Sequence, residues 1–165
     1  MMRHVISVPA TIDASALAAR LARKAAVLRD PSRRLCEGYG YQTVYEVPVA
    51  LQKRLRRETI RLHAEALRSS ADAVCDYSVF ALLADWMRWL WSETPTEEWD
   101  SVLEEASATV ERSEAIHHVV DGPRAAYDGY RWLDARNAAQ TDRLIRALYR
   151  EFGCESRVKE ARLER

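Results

Sequence analysis

The stretch from Val79 to Trp91 is interrupted by only two polar residues, Asp85 and Arg88. At helical spacing Val79, Leu82, Leu83, Trp86 and Leu90 form one face, while Phe80, Met87 and Trp91 fall on another. A helix apolar nearly all round must be surrounded, either by the rest of its own domain or in part by a second chain. It is not a membrane span. The longest uncharged apolar run, Tyr77 to Ala84, stops far short of the roughly 20 residues required. Whatever the chain folds into, this segment is expected at its centre.

The remaining pattern predicts further helices around it. Five Gly and five Pro in 165 residues leave few turn positions, which favours long elements. Leu17, Leu21 and Leu28 predict a helix from about Asp13 to Arg29, ended by Asp30-Pro31. Pro48 suits the start of a helix over about 48–69, with Leu51, Leu55, Leu62 and Ala66 inward. Thr94, Pro95 and Glu97 predict a capped start for a helix running to about Val119. Another follows from about Arg124 to Phe152, with Tyr130, Leu133, Leu144, Leu148 and Phe152 inward and Gly153 as its stop. Strand patterns are confined to Val5–Val8 and to Tyr41–Val47, where Tyr41, Thr43, Tyr45 and Val47 alternate.

The expected fold class is mainly α: a helical bundle of four or five helices with a small two-stranded β element near the N-terminus. It is read as one domain over 1–165. Residues 1–47 form a β/α N-terminal part, 48–153 the helical core and 154–165 a charged C-terminal tail. A chain of this length buries roughly 70% of its unfolded surface and needs no disulfide or metal staple. Cys36, Cys75 and Cys154 are odd in number and far apart, which fits a reducing compartment. With no apolar leader or span, the expected location is cytoplasmic.

Charge is zero overall but segregated. Residues 1–70 carry 13 Lys and Arg against 6 Asp and Glu, and residues 71–130 carry 3 against 13. Lys53, Arg54, Arg57 and Arg61 line one helix face and could hold a nucleic-acid backbone, with Tyr39, Tyr41 and Tyr45 close by for base stacking. The alternative use of that face is to pair with the acidic stretch Glu97–Glu114 of the same chain. Glu111, Glu114 and His118 recur on one face of the predicted fourth helix and offer a metal site, as in a metal-dependent hydrolase. The five Trp are more than a core of this size requires, and Trp89 and Trp91 are the candidate anchors for a partner.

Catalytic motifs are missing from the sequence. It contains no G-x-S-x-G, H-E-x-x-H, P-loop or G-x-G-x-x-G. His63-Ala-Glu65 matches the opening of the zinc-deaminase signature, but no Pro-Cys-x-x-Cys follows. No catalytic residue and no cofactor are assigned. The reading is a non-enzymatic helical protein-interaction domain, a regulator or a subunit of a larger assembly. Its expected partner is another protein or a second copy of the chain, with nucleic acid as the alternative and no membrane.

Overall fold

The computed structural model describes residues 3–8, 12–23, 25–125 and 134–164. Strands and helices alternate along them: β1 (Arg3–Ser7), α1 (Ser15–Ala22), β2 (Ala26–Leu28), α2 (Ser32–Gly38), α3 (Val49–Ser69), β3 (Ala73–Cys75), α4 (Val79–Trp89), α5 (Thr96–Arg112), β4 (Ala115–Asp121), α6 (Ala135–Glu151) and β5 (Val158–Arg162). The five strands form one sheet in the order β2-β3-β1-β4-β5. Every neighbouring pair is parallel. The expected mainly α bundle with a two-stranded element is therefore corrected to an α/β fold on a parallel sheet.

The physical reason is that parallel strands need long crossovers, here helical, so the helices dominate the sequence signal. The three inner strands, β1, β3 and β4, are largely buried and show no polar alternation. β3 is three residues, all buried. In β4 the first five residues are all buried, including both histidines.

Register divides the side chains between two faces. Val5 lies opposite Cys75 and Ile116, while Ile6 lies opposite His117. On one face Val5, Ala73 and Cys75 pack on Leu67 of α3, and Ile116 joins the main core of α4, α5 and α6. On the other, Ile6, Val74 and Val119 pack on Leu17, Ala18 and Ala22 of α1. The apolar segment read first does occupy the centre. Phe80, Leu83, Ala84 and Trp86 are completely buried within the main core. Each large side chain of this kind contributes about 1.5–3 kcal/mol of burial. Trp86 keeps its one polar atom satisfied by donating from Nε1 to Thr94 Oγ1 at 2.9 Å.

Several segments differ from their sequence expectation. Tyr41–Val47 is not a strand. It holds a single 3-10 turn at Val44–Glu46, closed by a Thr43/Glu46 capping box, and its Val47 packs on Cys36 and Leu55. The predicted first helix stops at Ala22, and 26–28 is β2. The predicted fourth helix stops at Arg112, and Arg157 caps its end: Arg157 Nη1 donates to the carbonyls of Val110 at 2.8 Å and Ser113 at 2.6 Å. The chain then enters β4. The charged tail supplies β5, an edge strand whose Lys159, Glu160 and Arg162 are exposed. Gly122, after β4, is required by close approach: a Cβ there would meet Leu163 Cβ at 3.0 Å and Ile12 Cγ2 at 3.1 Å. The expectations placed on Tyr130 and Leu133 lie outside the described residues. No described helix is long and apolar enough to cross a membrane.

Candidate functional site

In an open parallel sheet, ligands bind outside the carboxyl ends of the strands, where successive crossovers diverge. A cavity of about 220 Å³ sits there. Its walls come from the residues just past three strands: Val8 after β1, Arg29 and Asp30 after β2, and Asp76 and Tyr77 after β3. Leu55, Arg56 and Thr59 of α3 form another side, as do Ala81, Leu82, Asp85 and Trp89 of α4. The α4 residues share one helical face by their spacing. Tyr45, on the 3-10 turn, meets Trp89 edge-on with ring centroids 6.2 Å apart.

The floor is tied together by carboxylates. Asp76 accepts the backbone N–H of Asp30 at 3.0 Å and Arg29 Nη1 at 2.8 Å. Asp30 in turn accepts from the backbone N–H of Ser32 at 2.9 Å and from its hydroxyl at 2.8 Å. The ends of β2 and β3 and the start of α2 are thus held in one hydrogen-bonded unit. On the α6 side, Arg88 Nη1 donates to the Asn137 carbonyl at 2.8 Å and to Thr141 Oγ1 at 3.0 Å, and its guanidinium lies over the Trp89 ring at 5.0 Å.

One pair in the wall is looser. Arg56 is only 8% exposed, its Nε has no partner, and its Nη1 lies 3.7 Å from Asp85 Oδ2, beyond a good hydrogen bond. Burial pushes the Asp85 carboxyl above the usual carboxylate range, against the pull of Arg56 and Arg88 and with the push of Asp30. Behind the floor, His63 is buried with Nε2 unpartnered, and its ring lies 5.8 Å from that of Tyr77. Burial lowers its pKa, opposed by the Asp30 and Asp76 charges.

A second polar cluster lies inside the sheet's other half. His118 is fully buried, with Nε2 at 2.7 Å from Asp142 Oδ1 and Nδ1 at 2.7 Å from the Tyr149 hydroxyl. A carboxylate accepts only, so Nε2 carries the proton and Nδ1 accepts from Tyr149. The hydrogen bond from His118, followed by the one from Arg146, holds the Asp142 carboxyl low against desolvation. Burial pushes the Tyr149 phenol up. Close by, Ser78 Oγ donates to Ser7 Oγ at 3.0 Å while accepting the Ala81 N–H that starts α4. Every member of this cluster has its partner within the chain, so it reads as a framework for the core.

The residues singled out from sequence fall into separate places. Lys53, Arg57 and Arg61 face α5: Lys53 pairs with Glu98 at 2.7 Å, Arg57 Nε with Glu105 at 3.1 Å and Arg61 with Glu105 at 3.0 Å. Arg54 instead covers the Tyr39 ring at 5.9 Å. Glu111 is exposed near the end of α5, Glu114 lies exposed between α5 and β4, and His118 is interior to β4. The metal trio is dispersed because the segment is a strand, where helical spacing no longer applies. The described residues hold no cluster of three or more metal-ligating side chains. Trp91 is 51% exposed and edge-on to Trp99 at 5.4 Å, whereas Trp89 joins the cavity wall. Sequence reading did not bring Arg56, Asp30, Asp76 and Asp85 together in one site. A signal was present in two short apolar runs, Ala26-Val-Leu and Ala73-Val-Cys, each closely followed by Asp.

No protein-family model and no curated protein matches the chain. Solved structures do. A NadR protein in complex with NAD and AMP-PNP aligns over 96% of this chain and 44% of its own, with a TM-score of 0.69 and 12% identity. A NadR protein in complex with NR aligns over 96% and 43%, with a TM-score of 0.69 and 14% identity. The chain spans less than half the length of these proteins, and at such identity the likeness is one of fold. It agrees with the parallel sheet in replacing the all-α bundle. The reading as a non-enzymatic helical interaction domain, with its nucleic-acid and metal-hydrolase alternatives, is corrected with it: the chain shares the α/β fold of these structures and is not a helical bundle.

Proposed function

We propose that the cavity at the carboxyl edge of β1, β2 and β3 binds a small polar ligand of the nucleoside class. The observation that carries this is the cavity's composition at that place in the fold: the aromatic rings of Tyr45, Tyr77 and Trp89 beside the carboxylates of Asp30, Asp76 and Asp85. Aromatic rings suit a planar base, and carboxylates suit ribose hydroxyls, as in dinucleotide sites. The complexes of the two NadR proteins with NAD, AMP-PNP and NR lend support from the same fold.

Size and charge narrow the class. At about 220 Å³ the cavity is smaller than the roughly 300–1,000 Å³ of drug-sized sites, which favours a nucleoside over a dinucleotide. Its lining carries four Asp against two Arg, an unfavourable place for a polyphosphate. The chain also lacks the G-x-x-x-x-G-K-[ST] loop that would cradle one. The proposed role is therefore recognition of the nucleoside moiety.

Thermal unfolding with adenosine, uridine, inosine and nicotinamide riboside, each at millimolar concentration, tests the reading. A bound nucleoside raises the melting temperature by mass action. The rise is expected in the parent chain and absent in Ala81→Trp, which fills the cavity. If no nucleoside shifts the parent, the proposal fails.

A further inference from the structure

The Arg56–Asp85 pair departs from every other charged pair around the cavity. Asp30, Asp76, Arg29 and Arg88 all close hydrogen bonds within the chain. Arg56 and Asp85 do not. They approach only to 3.7 Å, and the Arg56 Nε is left without a partner. Arg56 is 8% exposed, so its charge is largely removed from water and is met only by this long ion pair with Asp85, whose side chain is 36% accessible. Both side chains line the cavity, and Trp89 lies one helical turn beyond Asp85 on the same face.

The chemistry that satisfies both groups at once is restricted. A ligand carboxylate or phosphate would suit Arg56 but would meet the Asp85 charge. An ammonium group would suit Asp85 but would meet Arg56. A hydroxyl can accept from Arg56 and donate to Asp85, but through a single oxygen, which groups only 3.7 Å apart would hold at a narrow angle. A neutral group with an acceptor and a donor side by side serves both. An amide has that form: its oxygen and nitrogen are about 2.2 Å apart, from C=O and C–N bond lengths, and they can meet groups 3.7 Å apart through two slightly divergent hydrogen bonds.

We infer that Arg56 and Asp85 together read an amide edge on the bound ring, Arg56 donating to its carbonyl oxygen and Asp85 accepting from its N–H. Resting on the nucleoside reading above, this narrows the ligand to nucleosides bearing a ring lactam or a carboxamide. It excludes those whose corresponding edge is a carboxylate or an N-alkylated amide. Tyr45 and Trp89 then stand beside the ring.

The test uses matched probes on the full chain, with dissociation constants from calorimetry: inosine against 1-methylinosine, uridine against 3-methyluridine, and nicotinamide riboside against nicotinic acid riboside. At least one amide-bearing member is expected to bind, with its partner at least tenfold weaker, because the blocked or charged edge leaves Asp85 unpaired or repelled. Asp85→Asn, nearly isosteric, should relieve the repulsion and narrow the nicotinamide-to-nicotinic-acid preference by tenfold or more. Its melting temperature without ligand reports whether it is folded. Arg56→Met should weaken the amide-bearing members selectively. Equal binding within every pair would overturn the amide reading while leaving nucleoside binding in place. Binding of none of the six would overturn both.

Discussion

His118 and Asp142 are joined by a 2.7 Å hydrogen bond that reaches from the middle of β4 to the first half of α6. The histidine side chain is completely inaccessible, and the aspartate is 26% accessible. This bond fixes the imidazole tautomer and so makes Tyr149 a donor to Nδ1. Removing that donor in Tyr149→Phe leaves a buried nitrogen unsatisfied, which costs about 1–3 kcal/mol. The ring contact of Tyr149 with Phe80, at 4.8 Å, is preserved in the variant. Urea unfolding is expected to show a lower midpoint with an unchanged slope. An unchanged midpoint would show that the hydroxyl contributes nothing.

Acid sensitivity should begin above the carboxylate range. His117 lies beside His4 on the sheet face opposite His118, the rings tilted by 47° and Nε2 at 2.8 Å from His4 Nδ1. Burial, then the His4, Lys159 and Arg20 charges, lower its pKa to about 4 from 6.5. Burial and Lys159 lower that of His4 too, opposed by Glu114. A base depressed in the folded state is protonated more readily in the unfolded one. Its stabilisation is therefore full above pH 6.5 and lost as the pH falls towards 4, at most about 3 kcal/mol for His117. His117→Gln should flatten the stability profile across that window. Denaturation curves taken at pH 7, 6, 5 and 4.5 read it directly, and parallel profiles for parent and variant would refute it.

Legibility of the fold from sequence followed element length and exposure. The α4 segment was recognisable because thirteen residues with two polar interruptions admit few placements, and α3 because Pro48 marks its start. β3 was not, since Ala73-Val-Cys is too short for any period to register. His118 looked like part of one helix face with Glu111 and Glu114. In a strand such spacing no longer shares a side, and the neighbours His118 and His117 point to opposite faces, towards Tyr149 and His4. The cavity residues were invisible for a different reason. Asp30 and Asp76 come together only through the parallel pairing of β2 with β3, a contact between segments 46 residues apart.

The segregated charge has a measurable consequence. Glu105 accepts from both Arg57 and Arg61, and Arg57 Nη2 also reaches Ser101 Oγ at 2.8 Å, so the basic face of α3 is clamped to α5. These hydrogen bonds hold the Arg57 guanidinium up, while Arg57 and Arg61 hold the Glu105 carboxyl low against its burial. Arg57 and Glu105 are 25% and 19% accessible, so water and salt screen them in part. A double-mutant cycle with Arg57→Ala and Glu105→Ala should give a coupling of about 0.5–1.5 kcal/mol, reduced in 1 M salt. A coupling of zero would make the clamp incidental to stability.

Asp76 provides the most direct check that the cavity floor is one unit. Its two oxygens hold the Asp30 N–H and Arg29, and its own N–H donates to the Leu28 carbonyl at 3.1 Å. Asp76→Ala removes the first two bonds and keeps the third, so β2 should stay paired while the Arg29–Asp30 corner loses its anchor. One bond is partly buried and the other exposed, so the expected loss of stability is modest, about 1–2 kcal/mol. The effect on a bound nucleoside should be larger in proportion, because a shifted corner moves Asp30, Ser32 and the start of α2 together. Asp76→Asn keeps an acceptor for the Asp30 N–H and should recover most of the stability. Calorimetric affinity and unfolding midpoint, measured on both variants, separate the two roles: affinity falling only in step with stability would make Asp76 a fold residue alone, and affinity lost in Asp76→Ala while the midpoint holds would place it in the ligand's support.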